Sequence, residues 1–552
     1  MSKLKLFFNN EKELIVEKGD TLHKVIEENQ LESNLPAVLA NLNGKVVELS
    51  TKVQAEGKFS IIDTSKSVGV NAYTRSLQFV LIKAVKEVFS DAFVTIEHSM
   101  NRGVIGEVFK DGGLTIDDIP VIKNKMQEII DKDIVFNKQS FSKEAAIEIF
   151  NEYGMDDKVR FLKHITEQEV LLYELDGLYD YFHGHMVYST GALKKFELNN
   201  YETGFLLRFP IETDPYNIPK FVGYKKLDKI YYETEKWGNI LGVGDVGALN
   251  DKVIDGDIFN IIRVAEGFQE KKIAKIADLI CDREKIKLVL IAGPSSSGKT
   301  TFSRRLGIQL RVNGLLPVPI SLDDYFVDRL HTPKDENGEY DFESINALDL
   351  ELFNKNLTEL MEGKEVELPS FNFRTGSREW KGEKIKIPDN GIIIVEGIHG
   401  LNELLTEAVA REHKFKIYIS ALTQLNLDNH NRIFTTDVRI IRRIVRDYLS
   451  RGYGAEDTLK MWSSIRRGEE KNIFVFQEQA DTMFNSTLVY ELCILKKYAL
   501  VELEKINENS PVYVEALRLK SFLNYFKDVD VEMVPENSIL REFVGGSCFY
   551  KY

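Results

Sequence analysis

Cysteine is nearly absent from this 552-residue chain: its three thiols, Cys281, Cys493 and Cys548, lie far apart and form no C-x-x-C pair. A disulfide framework and a cysteine zinc cluster are thereby excluded, and a reducing, cytoplasmic setting is expected. Proline is also scarce, at 13 residues, and with 43% hydrophobic content the chain is not globally disordered. No apolar run reaches the ~18 residues of a membrane span, and the opening MSKLKLFFNN lacks the apolar core of an export signal. Neither membrane insertion nor export is expected. Positive charge is in deficit, 72 basic against 86 acidic residues, for a net charge of −14. That disfavours a purely electrostatic nucleic-acid binder, although a local basic face stays open. Internal repeats and low-complexity tracts are absent as well. What the chain does have is length, enough for roughly three or four domains.

The front reads as short alternating strands at 3–8 and 13–16, joined through the turn-forming pair Asn9-Asn10. Asp20-Thr21 is suited to cap a helix reaching about Asn29, and strands follow at 38–42, 45–49 and 60–62. This pattern is an α/β-grasp module. Its stretch LKLFFNNEKELIVEKGDTLHKVIEE resembles the TGS domain found at the front of threonyl-tRNA synthetases and on some GTPases. From Tyr73 to Phe196, with a helix at 74–89 and the stretch HMVYSTGALKKFEL, the chain resembles the second additional domain of the same synthetases. In that family an H-x-x-x-H and a C-x-x-x-H pair bind metal and serve hydrolytic editing. The matching positions here are Arg75, Phe79, Tyr181 and His185, which leave one ligand-type residue and no four-ligand zinc site. His183 and His185 form an H-x-H that reads as structural.

Residues 210–255 show no sustained period and read as a connection. Ile258, Ile261, Ile262 and Ala265, then Ile273, Ile276, Ala277 and Ile280, predict a long amphipathic helix over 257–280, with Gly267 as a break.

The apolar stretch IKLVLIA at 286–292 runs into Gly293-Pro294-Ser295-Ser296-Ser297-Gly298-Lys299-Thr300-Thr301, a G-x-x-x-x-G-K-T loop. Its glycines let backbone N–H groups turn toward a polyphosphate, and the helix after it presents its positive end. Lys299 is placed to reach the β- and γ-phosphates, and Thr300 to ligate Mg²⁺. A strand at 318–322 then ends in Asp323-Asp324-Tyr325-Phe326. Asp323 is suited to take a proton from an attacking hydroxyl or to hold water on Mg²⁺; the plain alternative is a turn or cap residue. The strand Ile392-Ile393-Ile394-Val395 ends in Glu396-Gly397, an acid that completes a Mg²⁺ environment or orients a loop. Arg439, Arg442, Arg443 and Arg446 share one helix face, suited either to close over phosphates or to lie solvated in i,i+4 pairs.

These pieces resemble the uridine kinase and phosphoribulokinase family of P-loop kinases over residues 286–485. GPSSSGKTT, SLDDYF, YDFESINALD, ELPSFNF, IIIVEGIHGL and DVRIIRRIVRD carry the likeness. The resemblance implies Asp323 as catalytic base, Glu396 as metal-associated acid and the arginine helix as a lid, with Arg439 and Arg443 on the transferred phosphate. It places Tyr325, Asn346 and Phe371 at the acceptor. True uridine kinases carry an Asp where Asn346 stands, and a Tyr and a His where Phe371 and Gly376 stand, so pyrimidine recognition is altered.

The expected architecture is multidomain, α/β and α+β. It comprises a β-grasp module at 1–63, a synthetase-like module at 64–210, a connecting region at 211–283, and at 284–552 a P-loop kinase domain with a parallel sheet and a C-terminal extension. The expected activity is ATP- and Mg²⁺-dependent transfer to a small-molecule hydroxyl, with a nucleoside 5′-hydroxyl as acceptor. The alternative is an RNA- or tRNA-linked nucleotide-dependent regulator; a third reading makes the front modules a small-molecule sensor. The tail at 507–552 is expected to dock on the kinase or on a second copy of the chain in a homo-oligomer.

Overall fold

In the computed structural model, residues 3–550 are described, apart from 32–33, 101, 335–337, 339, 373–374 and 424 and the side chains of 235 and 239. The chain forms two compact units. The first combines Met1–Tyr224 with Asp245–Ala248 and Leu425–Arg432; the second holds 225–244, 249–424 and 433–552.

The first unit opens with a five-stranded sheet ordered Lys12–Glu17, Lys3–Phe8, Gly57–Ile62, Leu39–Leu42, Lys45–Glu48. Alternation puts Leu6, Leu14 and Val16 into a core shared with Leu22 and Val25 of the helix Leu22–Glu28. Asn9 and Asn10 turn the first hairpin at φ 51° and 64°, a left-handed backbone that asparagine tolerates. Thr21 caps the helix by accepting from the Lys24 N–H. The following helix runs Ser67–Val88, starting seven residues before the expected 74 and buried along most of its length. Its core also takes residues from a four-stranded antiparallel sheet (Glu197–Tyr201, Gly204–Arg208, Gly103–Phe109, Phe93–Met100) and a three-stranded one (Leu178–Asp180, Glu169–Leu175, Asn137–Ser142).

The four positions aligned with metal ligands hold a different cluster. Phe79 is fully buried against Phe136 and Phe182, and Arg75 donates to the His185 carbonyl. Glu48 accepts from the Tyr173 hydroxyl and the Met186 N–H. Burial pushes Glu48 up, but its bonds to His185 and Tyr173 and the charge of Lys138 outweigh this and hold it at about 2. A second buried network joins distant parts of the sequence. Lys158 lies 2.9 Å from both Asp180 and Asp428, and His430 Nδ1 lies 2.7 Å from Asp180 Oδ2. Asp428 and His430 come from the hairpin pairing Asn426–Asp428 with Asn431–Arg432, inside the stretch expected to be wholly kinase.

The second unit is built on a five-stranded parallel sheet ordered Leu316–Ser321, Gly391–Glu396, Leu288–Ala292, Lys414–Ser420, Thr482–Asn485. The central strand LVLIA is buried throughout, as expected of a parallel strand covered on both faces. Strands start on either side of it from different crossovers, which opens a crevice at its C-terminal end. Two expectations are corrected. Residues 210–255 are not merely a connection, because helices form at Lys225–Leu241 and Val246–Ile254. The helix Ile258–Cys281 runs unbroken past Gly267, which is exposed and meets no neighbouring atom. A lone solvent-facing glycine costs a helix about 1 kcal/mol relative to alanine, too little to break this one.

Candidate active site

The loop after the central strand turns through Ser296 at φ 59° and Gly298 at φ 81°, then enters the helix Lys299–Val312. A Cβ on Gly293 would sit 2.0 Å from the Ile419 carbonyl oxygen, so only glycine lets the loop leave the sheet there. Ser296 and Ser297 are buried with hydroxyls that find no partner among the described residues. Left-handed backbone, orphan hydroxyls and a helix N-terminus together make a cradle for phosphate oxygens.

Lys299 Nζ donates to the carbonyls of Gly293 at 3.0 Å and Pro294 at 3.1 Å. Burial holds it below the ordinary lysine value, against the opposing pull of Glu396 and Asp323. The Thr300 hydroxyl donates to Glu396 Oε1 at 3.1 Å. Burial first, then the charge of Asp323, pushes Glu396 up to about 7. Glu343 is likewise pushed up to about 7, by burial and by Glu469. Among the described residues no three His, Cys, Asp or Glu side chains converge as a metal cage. Thr300 and Glu396 nevertheless supply the hard oxygens Mg²⁺ prefers, and such sites draw their remaining ligands from phosphate and water. The donor set fits the ion.

Asp323 and Asp324 follow the strand in the short turn Leu322–Tyr325, and the turn gives them different surroundings. Asp324 Oδ1 accepts from the Phe371 N–H at 3.1 Å, whereas Asp323 acts electrostatically on Lys299 and Glu396. Tyr325, expected at the acceptor, is core instead. It is 1% exposed, edge-on to Phe353, and its hydroxyl accepts from Asn356. The turn's tight pitch sends Tyr325 inward while the aspartates stay at the sheet's edge. Phe371 contacts Phe326, Asn346 is exposed, and Gly376, at φ 71°, accepts from the Arg329 N–H. Phe373, the last residue of ELPSFNF, lies outside the described residues.

The arginine face on Thr435–Arg446 is not solvated. Arg439 pairs with buried Glu469 and donates to the Ser295 carbonyl, and Arg442 pairs with buried Glu491 and donates to the Ser296 carbonyl. Arg439 therefore braces the loop from its carbonyl side instead of reaching a transferred phosphate. Arg443 donates to Ser295 Oγ at 2.6 Å and pairs with Asp447, which also binds Arg446. Burial and the neighbouring Arg446 lower Arg443 to about 10. Of the four, Arg443 is the one tied to a loop side chain rather than to a loop carbonyl.

Sequence reasoning passed over several groups. Glu469 accepts from the Ser295 N–H at 2.9 Å but lies in an acid- and base-rich helix that reads as solvated. His399, 2% exposed, is pushed down by burial to about 4 and so stays neutral. The tail reaches the loop as well. Glu542, in the short helix Arg541–Val544, accepts from Thr301 N–H at 3.0 Å and Thr301 Oγ1 at 2.9 Å, and the Tyr550 hydroxyl lies 2.6 Å from Thr301 Oγ1.

Residues 288–490 match the phosphoribulokinase / uridine kinase family. The N-terminal region matches threonine–tRNA ligases. That of Rickettsia canadensis is 28% identical over 183 residues, covering 33% of this chain and 29% of the ligase. That of Bacillus velezensis is 29% identical over 163 residues, covering 29% of this chain and 25% of the ligase. The chain thus spans less than a third of the length of these relatives. Among solved structures, one described as a possible uridine kinase from Bacillus stearothermophilus is 23% identical with a TM-score of 0.22, covering 36% of this chain and 89% of that one. The second unit thus carries a phosphoribulokinase/uridine kinase family domain, joined in one chain to an N-terminal region similar to that of threonine–tRNA ligases.

Proposed function

We propose that the chain is an ATP- and Mg²⁺-dependent kinase that phosphorylates a primary hydroxyl of a small molecule, with the 5′-hydroxyl of a nucleoside as the acceptor. The observation that carries this reading is the convergence of Lys299, Thr300, Asp323 and Glu396 on the phosphate cradle. The acceptor oxygen attacks the γ-phosphorus, the bond to the β–γ bridging oxygen breaks, and the acceptor proton passes to Asp323 as ADP leaves. Lys299 and Arg443 stabilise charge on the phosphoryl oxygens. Mg²⁺, when bound by Thr300 and Glu396, supplies charge neutralisation at the β- and γ-phosphates. The scarcity of cysteine supports a cytoplasmic setting.

The test is ATP turnover by the full chain with Mg²⁺ across nucleosides, sugars and sugar phosphates, with Lys299→Ala as the blank. One nucleoside stimulating turnover in the wild type alone is the expected result. ATP binding without stimulation by any acceptor would reject the small-molecule kinase and leave the RNA-linked regulator suggested by the ligase-like region.

Asn346 is exposed on the turn Ile345–Ala347, where an amide hydrogen-bonds vicinal hydroxyls more weakly than a carboxylate does. Asn346→Asp is expected to lower the acceptor KM about tenfold with kcat within about twofold, as measured by initial rates against acceptor concentration. An unchanged KM would remove Asn346 from the acceptor site.

A further inference from the structure

The N–H groups of a helix's first turn have no partner within the helix, which makes them natural donors to an anion. In the helix Lys299–Val312 that anion is one of the chain's own side chains. Glu542 Oε2 takes both the N–H and the hydroxyl of Thr301, at 3.0 and 2.9 Å. Thr301 is fully buried and Glu542 is 8% exposed, so this is a desolvated, charge-assisted contact rather than a surface pairing. It lies within the field of the site, because the charge of Glu542 acts on both Lys299 and Glu396. The approach is also shaped to the loop. A Cβ on Gly298 would come within 2.5 Å of Ile539 Cγ2, so Ile539 lies directly on the loop's last glycine. Ile539, Leu540 and Phe543 are fully buried anchors, and the Phe543 ring lies 5.0 Å from the Arg442 guanidinium.

We propose that the C-terminal tail is an autoinhibitory plug, in which the Glu542 carboxylate occupies donors of the phosphate cradle and competes with nucleotide. The idea rests on the nucleotide-binding reading of the loop. Two carboxylate–phosphate demands on one N–H cannot be met together, and like charges at that distance repel. Nucleotide entry therefore requires the Glu542 side chain to rotate away and Tyr550 to release Thr301. The apolar anchors need not move. Gly545 at φ 81° and Gly546 at φ 71° lie between those anchors and Tyr550, giving residues 547–550 a pivot.

Glu542→Gln keeps the side chain's shape and removes its charge. If the plug is engaged in about nine molecules of ten, the variant binds Mg-ATP about tenfold more tightly than wild type in calorimetric titrations of the full chain. Equal or weaker binding, with Lys299→Ala still losing affinity, would overturn the plug and leave the nucleotide reading intact. No binding by either chain would overturn both. Hydrogen exchange on the wild type needs no variant to fold: Mg-ATP is expected to speed exchange in residues 547–550 while 539–543 stay protected. Unchanged or slower exchange at 547–550 under saturating Mg-ATP would show Glu542 to be a structural helix cap.

Discussion

Asp323→Asn is expected to reduce acceptor phosphorylation by about 10²–10⁴-fold while Mg-ATP affinity stays within about twofold of wild type. The two adjacent aspartates are similar in sequence but differently committed. Asp324 is tied to the Phe371 N–H, and burial raises it above the ordinary aspartate value. Asp323 acts on Lys299 and Glu396, and the proposed kinase reading assigns it the acceptor's proton. An amide of the same shape accepts no proton, so the loss should fall on kcat, measured in single-turnover experiments at saturating ATP. Near-normal turnover in this variant would remove Asp323 as base and move attention to its neighbour.

Glu396→Gln should stabilise the ligand-free protein while removing Mg²⁺-dependent turnover. Burial and Asp323 raise Glu396 from an ordinary 4.5 to about 7, so its ionised form is disfavoured in the folded chain. Below pH 4.5 the group is neutral folded and unfolded, and it costs nothing. Between 4.5 and 7 the unfolded chain ionises first, so stability falls as pH rises, and above 7 the cost levels off at about 3 kcal/mol. Glutamine lacks this slope. The gain over wild type, read from urea midpoints, should be negligible at pH 4.5 and largest above pH 7. Wild-type Mg²⁺ affinity should run the other way and weaken below pH 7, because the ion must displace a proton. A pH-independent difference between the two chains would refute this account of the buried acid.

The phosphate loop and the strand ends beside it were legible because their chemistry needs contiguous residues: a glycine where the chain passes the Ile419 carbonyl, another where the backbone turns left-handed, then lysine and threonine at the helix start. The first hairpin was legible for a similar reason, since Asn9-Asn10 and the cap at Thr21 act locally. What spacing conveyed about the arginine helix was its shared face, not what that face meets. The buried acids Glu469 and Glu491 lie 30 and 49 residues downstream of their arginine partners. Tyr325 reads as part of a site motif, yet a single tight turn decides which of its neighbours point inward. The helix Lys225–Leu241 was hidden because only Leu227 and Tyr231 are buried among its described side chains, too narrow a stripe to show a period. The tail's engagement of Thr301 spans 241 residues and leaves no local signature.

Lys158 and its partner Asp428 are 270 residues apart. A ribosome adding ~5–20 residues per second makes the aspartate roughly 15–50 s after the lysine. Throughout that interval the nascent first unit holds a cationic side chain at a position closed to water in the finished fold, with the Asp180 carboxylate and the Tyr181 carbonyl already made but the second carboxylate still missing. Completion of the first unit therefore waits on a hairpin that lies 270 residues further along the chain. The first unit is begun before the second and is finished only after much of the second has been made.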